Sequence, residues 1–379
     1  MDWNSILPEL LKGFAAFDWR NGVMILAALA LVYLAVFKEI EPVLLLPIGF
    51  GCLLANIPLS GMTATVDGMM GVLYNAGIKT ELFPLLIFIG VGAMIDFSPL
   101  LAQPRMVLLG AAGQFGIFGT LMLAIALGFP LNQAASIGVI GAIDGPTSIF
   151  VASKLAPELL APIAVAAYSY MSLIPIIQPP LMKLLTTKKE RMIKMDYAPK
   201  PISKTTLIFF PVVLTLVVGL LVPEATPLIS MLMLGNLLKV TGVVDRLSNA
   251  AQNEIINIST LFLGLAIGST MSGQAFLNLD TGKIMVLGLF AFALDTVAGL
   301  LFGKFMSFLS GGKINPLIGA AGISAFPMAG RLAAKTASDE DPDNFILMHA
   351  MGSNTAGQLG SVIAGGILLS VVSKILGIG

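Results

Sequence analysis

Apolar runs that could cross a bilayer recur along this chain, near 22–37, 41–58, 82–98, 106–128, 157–182, 206–222, 226–240, 255–275, 284–309 and 345–377. A helix needs about 20 apolar residues to span the hydrocarbon core. A chain built this way is expected to be an all-α polytopic membrane protein of about ten transmembrane helices. Composition agrees: 56% of the 379 residues are hydrophobic and 11% are charged, against about 25% charged in soluble domains. Mean hydropathy is +0.93. Two further stretches, 130–150 and 314–333, are apolar but crowded with Gly, Pro, Ser and Asn. Such backbone is tolerated at membrane depth only when buried in protein, so both are predicted to be broken or re-entrant elements. Asp2, Trp3, Lys12 and Arg20 precede the first run and no small-residue cleavage site follows it, so no signal peptide is expected.

The longest hydrophilic stretch within the chain, 183–204, carries Lys183, Lys188, Lys189, Arg191, Lys194, Lys200 and Lys204. Positive loops stay cytoplasmic. Counting spans outward from it puts Lys38, Arg105, Lys239, Arg246, Lys304, Lys313 and Lys335 inside, and leaves Arg20, Lys79, Lys154, Lys283 and Lys374 outside or near that face. Segment 59–81 reads as an external connection. The chain has 21 basic and 21 acidic residues, so no general field for nucleic acid exists. One cysteine, Cys52, and one histidine, His349, disfavour a disulfide framework and a zinc or iron centre; His349 reads as structural. There is no phosphate-cradling Gly-Lys-Ser/Thr loop.

A shift of 181 residues lays Gly138 on Gly319, Gly141 on Gly322 and Gln114 on Asp295. At a slightly smaller shift, "LLIFIGVGAMI" (85–95) resembles "LFLGLAIGSTM" (261–271). On the topology above the two halves enter the membrane from opposite sides, so they read as inverted repeats. That architecture puts transport sites near the midplane, where broken helices meet. The alternative is that close helix packing makes small-residue helices look alike. The implied organisation is N-terminal scaffold helices over 1–81, a first core repeat over 82–182, a cytoplasmic basic loop over 183–205, second scaffold helices over 206–254 and a second core repeat over 255–379. The repeats would move as an elevator-like core against the scaffold.

An ionised side chain at the bilayer centre costs about 2.5 kcal/mol or more. Asp144 lies in "GAIDGPTSI" (141–149), where Gly145 and Pro146 break the helix after the carboxylate. A carboxylate with freed carbonyls and a few hydroxyl or amide oxygens suits a hard cation such as Na⁺; the plainer reading is an aspartate capping a buried helix. The partner element "INPLIGAAGISAFPMAGR" (314–331) offers Asn315, Gly319, Gly322, Ser324 and Arg331. "GSNTAGQLGS" (352–361) puts Ser353, Asn354, Thr355 and Gln358 inside the last run, and "AAYSYMS" (166–172) adds Tyr168, Ser169, Tyr170 and Ser172. Asp295 is also intramembrane, either a proton site or a partner for Lys304.

At "GAIDGPTSIF", "AAYSYMSLIPIIQPP", "INPLIGAAGISAFPMAGR" and "MGSNTAGQLGS" the chain resembles the β subunits of biotin-dependent, sodium-pumping decarboxylases acting on oxaloacetate, methylmalonyl-CoA, glutaconyl-CoA or malonate. The resemblance implies that Asp144 binds Na⁺ and takes part in proton transfer, with Asn315, Gly319, Ser324 and, less directly, Asn354 contributing to the ion site. It implies catalytic roles for Tyr170 and Arg331, the latter also engaging carboxybiotin. It further implies a bacterial inner-membrane location and carboxybiotin supplied by a biotin carrier protein, not attached to this chain. A carboxyltransferase subunit, a small single-span subunit and a homo-oligomeric arrangement come with it. Decarboxylation of carboxybiotin, consuming a proton, would then drive Na⁺ out of the cell. Composition, repeat and buried carboxylate fit a stand-alone Na⁺/H⁺ antiporter or Na⁺-coupled organic-anion symporter equally well; only the motifs separate the two.

Overall fold

The computed structural model describes residues 3–63, 68–195 and 201–377, and every regular element among them is a helix. Among the described residues six helices are long and apolar enough to span a membrane: Trp19–Phe37, Met106–Ala126, Lys204–Leu221, Asp245–Ser269, Leu279–Leu309 and Leu347–Leu376. Two bent pairs raise the number to eight if each is one span. One joins Met69–Lys79 to Leu82–Met94 at 59°, so the end of the stretch expected as an external connection is helical and leads into the next span. The other joins Pro157–Met171 to Ile174–Leu185 at 62°. There a single span over 157–182 was expected. Pro175, Pro179 and Pro180 each remove a backbone donor in its second half, which favours the bend. Pro42–Ala55 and Thr226–Thr241 are shorter than a full crossing.

Pro42–Ala55 packs on Ile256–Ser269, and Leu82–Met94 on Thr226–Thr241. The approach is backbone to backbone: a Cβ on Gly235 would lie 1.9 Å from the Ile89 carbonyl oxygen. Without a hydrophobic driving force between helices in lipid, such close packing holds the bundle together. The Lys204–Leu221 helix lies at the periphery and turns Leu216, Leu220 and Leu221 outward, as a lipid-facing helix does.

Both Gly-rich stretches are broken helices. The first runs as Leu131–Gly138, a tight turn over Val139–Ala142, a break at Ile143 and Asp144, and then Gly145–Leu155. The second runs as Leu317–Ala320, an irregular stretch over 321–327, and then Met328–Ser338. Ile143 from the first break and Ile323 and Ala325 from the second are buried in one apolar cluster with Ile174 and Phe292. The two interruptions therefore meet. Arg105, Lys194 and Lys313 line one cavity at one end of the bundle, whereas Lys154 and Lys374 line another with Glu224.

Candidate functional site

Asp144 is 5% exposed and sits at the N-cap of the Gly145–Leu155 helix, its Oδ1 accepting from the Thr147 backbone N–H at 3.4 Å. Pro146 in the first turn lacks an amide proton, so the helix starts cleanly here. Ile143, just before it, has φ 56°. A β-branched residue is rarely found in that left-handed region, and the packed cluster around it holds it there. Asp144 is thus a helix cap, as the plainer reading held. Capping uses only one of its oxygens.

The other oxygen, Oδ2, accepts from Thr147 Oγ1 at 2.7 Å, Gln358 Nε2 at 2.9 Å and Ser361 Oγ at 3.0 Å. Gln358 and Ser361 belong to the last long helix. Four residues before each of them, at Asn354 and Gly357, the same helix grips the second break. Ser324 Oγ donates to the Gly357 carbonyl at 3.0 Å, and Asn354 Nδ2 donates to the Ile323 carbonyl at 2.6 Å. Positions 354, 358 and 361 share one helical face. One face therefore ties both breaks together.

A cavity of about 220 Å³ opens beside Asp144, lined also by Glu41, Tyr168, Asn257, Ser324 and Gln358. The Tyr168 hydroxyl and Asn354 Oδ1 are buried without a hydrogen-bond partner among the described residues. Every group around Oδ2 holds an oxygen that can turn to a cation. Ser361 Oγ also lies 2.9 Å from the Gln358 carbonyl, a second acceptor for its one proton. Turning that proton away frees a lone pair, and the Gln358 amide can rotate to present Oε1. A carboxylate with hydroxyl and amide oxygens is the donor set that a hard monovalent cation takes.

The sequence-predicted residues are divided by the fold. Asp144 and Ser324 line the cavity; Asn354 does not, but its amide donates to the carbonyl of Ile323, next to Ser324. Asn315 does not line it; its amide donates to the Arg191 and Ile193 carbonyls at 2.9 Å each, and its Oδ1 accepts from the Leu317 N–H. Gly319 packs on Gly299, where a Cβ would come 2.0 Å from the carbonyl oxygen. Tyr170 donates to the Met285 carbonyl, while its neighbour Tyr168 faces the cavity. Arg331 is exposed and makes no ion pair among the described residues. Lys304 pairs with Glu190 at 3.3 Å and donates to the Leu185 carbonyl, so it does not partner Asp295. Glu41, Thr147, Tyr168 and Ser361 were not singled out as ligands from sequence. Ser361 and Gln358 had a signal in their spacing of three on a Gly-rich face; Glu41 had none.

The basic loop is pinned by ion pairs and amide hydrogen bonds. Arg191 bridges to Glu340 at 2.6 Å, Lys194 to Asp341 at 3.0 Å, and Asn344 donates to the Arg191 carbonyl. The hydrogen bond and charge of Arg191 hold the Glu340 carboxyl below the usual range, and Lys194 does the same for Asp341. Beside these contacts lies a cavity of about 700 Å³ whose charged lining residues are Arg105, Lys194 and Lys313.

Residues 20–372 match the model of the Na⁺-transporting oxaloacetate decarboxylase β subunit family. The chain belongs to this family. It is 55% identical to the methylmalonyl-CoA decarboxylase β subunit of Veillonella parvula, over 96% of each chain. To the glutaconyl-CoA decarboxylase β subunit of Acidaminococcus fermentans it is 53% identical, over 95% of this chain and 96% of that one. The oxaloacetate decarboxylase β chain of Klebsiella pneumoniae matches at 47%, over 97% and 99%. This β subunit is accordingly a multi-pass protein of the bacterial inner membrane and part of a sodium-pumping decarboxylase complex with partner subunits.

Proposed function

We propose that this β subunit decarboxylates carboxybiotin, delivered by a carrier protein that a carboxyltransferase subunit loads, and uses the reaction to export Na⁺. The observation that carries the reading is the buried Asp144 carboxylate at the junction of two broken helices, with oxygen-bearing donors on one of its oxygens. Family membership favours this reading over a stand-alone transporter.

Carboxybiotin is an anionic carbamate. When its C–N bond breaks, CO₂ leaves, the electron pair stays on the ureido nitrogen, and that nitrogen takes one proton. A pocket poor in water favours loss of CO₂ from the anion. Asp144 can hold either a proton or Na⁺ on Oδ2, and an arriving cation favours release of the proton. Proton delivery to biotin and Na⁺ occupancy are then linked at one carboxyl group. In this scheme Thr147, Ser324, Gln358 and Ser361 complete the ion site and Asn354 positions the second break. Asn315 and Gly319 act by shaping that element. The cationic cavity at Arg105, Lys194 and Lys313 supports docking of an anionic head group at the cytoplasmic end. Arg331 would hold the carboxylate through paired hydrogen bonds, and Tyr170 would orient the floor of the site. The core repeats alternate between faces against the scaffold. The small single-span subunit and a homo-oligomeric arrangement complete the proposed complex.

The test is CO₂ release from free carboxybiotin by the purified chain, with and without Na⁺, alongside Na⁺ efflux from vesicles carrying the complex. Asp144→Asn is expected to abolish both. Normal turnover by that variant would overturn the assignment.

A further inference from the structure

The cationic cavity of about 700 Å³ lies where spanning helices end. Arg105 directly precedes the Met106–Ala126 span, and Lys313 follows the Leu279–Leu309 span. Basic side chains at such positions reach the level of the lipid head groups. Lys194 is engaged by Asp341 at 3.0 Å. Arg105 and Lys313 are exposed and make no ion pair among the described residues. Two positive charges there lack a counter-charge.

The same cavity borders an apolar one, because Pro104 lines both. This second cavity, of about 430 Å³, lies between the last long helix and the peripheral Lys204–Leu221 helix. The last helix lines it with Ala356, Gly360 and Ala364, small residues four apart on one face. The peripheral helix lines it with Phe210 and Leu214, and the Phe210 ring packs 5.2 Å from that of Phe97. Its one polar lining residue among those described, Gln114, spends its amide protons on the Gly110 and Gly357 carbonyls at 3.1 and 3.2 Å. From Ala356 to Ile367 the groove follows the last helix for about 16 Å. That is the depth of one leaflet, half of a hydrocarbon core about 30 Å thick. A third, apolar cavity of about 500 Å³ shares Phe210 and Leu214 and runs from Thr205 to Val217, again about 18 Å along its helix.

We propose that this face binds one anionic phospholipid, its phosphate on Arg105 and Lys313 and its two acyl chains in the two apolar grooves. Basic pockets between membrane helices take acidic head groups in this way. The unpaired cations favour a charged lipid over a neutral one, and the apolar grooves continuing past Pro104 favour a lipid over a soluble anion. A helix from another subunit would cover the grooves but leave Arg105 and Lys313 without a counter-charge. The Lys204–Leu221 helix packs mainly on Thr226–Thr241, so the lipid would fill the gap between it and the last helix. The inference shares the cationic cavity with the docking step proposed above and uses no residue of the Asp144 site.

The test titrates dioleoylphosphatidylglycerol against the purified full chain in neutral detergent, with bound lipid counted by mass spectrometry of the intact complex. Wild type is expected to retain one phosphatidylglycerol in preference to phosphatidylcholine with the same chains. Arg105→Gln combined with Lys313→Gln should weaken that binding about tenfold or more and erase the preference. Ala111→Phe, at an exposed position lining the first groove, should fill it and weaken both lipids alike. All three positions are exposed, so the fold is expected to hold. Equal retention of the two lipids by wild type overturns the proposal, and so does competition by glycerophosphoglycerol, the head group alone, at the same concentrations as the intact lipid. Lipid binding left intact by Ala111→Phe overturns it too; if that variant instead releases the single-span subunit from the complex, that subunit's helix is the occupant. The assay contains no carboxybiotin, so its failure leaves the decarboxylation reading standing, and failure of that reading leaves the lipid site standing.

Discussion

Gln358 and Ser361 differ from Asp144 in what their removal should do. Each donates one hydrogen bond to a buried carboxylate, and a bond to a charged group contributes about 1.5–3 kcal/mol. In the ion-bound site Ser361 turns its proton to the Gln358 carbonyl and gives Na⁺ a lone pair, so Ser361→Ala removes a ligand and should lower Na⁺ affinity by about tenfold; Na⁺ dependence of CO₂ release measures this as a shift in half-saturation. A maximal rate lost at saturating Na⁺ would show that Ser361 serves the chemistry instead. Tyr168→Phe removes a buried hydroxyl that has no partner in this conformation. If that hydroxyl serves only packing, stability and turnover will stay as they are. A loss of turnover with unaltered Na⁺ affinity would place it in proton delivery. Burial makes a polar group at any of these positions costly unless it is used, and for this reason the orphaned oxygens are informative.

The broken helix is the element on which the site depends. Gly145 follows Asp144 at the helix start, and a Cβ there would lie 2.1 Å from Tyr168 Cζ. Gly145→Ala should thus displace the Tyr168 ring or the helix start, costing roughly 1–3 kcal/mol as overpacking does. The thermal midpoint of the purified chain would report it, and rescue by adding Tyr168→Ala would trace the cost to this contact. The last long helix behaves as a clamp, because Asn354 and Gly357 hold one break while Gln358 and Ser361 hold the other. A motion that opens the site must release at least one of these grips.

Over the whole molecule, the basic loop fastens the turn that follows the second broken element, at Glu340 and Asp341. Glu340 and Asp341 have lowered pKa values because of Arg191 and Lys194. A depressed carboxyl contributes stability above its unfolded value, and that stability is lost as pH falls through the folded value. Unfolded Asp and Glu titrate near about 4. The loop should stay fastened at neutral pH and loosen only below about pH 4, seen as faster hydrogen exchange over residues 186–195. Arg191→Ala should produce the same loosening at pH 7. Unchanged exchange in that variant would mean that the Asn315 and Asn344 amide bonds hold the loop without the ion pair.

The class of fold, the basic loop, the two broken elements and the place of Asp144 were legible in the sequence, because each is a local property. Apolar length sets a span, lysine count sets a side, and Gly-Pro after a carboxylate breaks a helix. Which oxygens surround that carboxylate was not legible. Ser361 and Gln358 lie more than 200 positions away from it, Glu41 about 100, and Asn315, near in motif, is drawn to the loop. Helix crossings choose those neighbours, and crossings are set by where glycine lets two backbones touch. Only the tertiary structure decides that, since a helix carries its periodicity in its own sequence but its partner's position in the packing of the whole bundle.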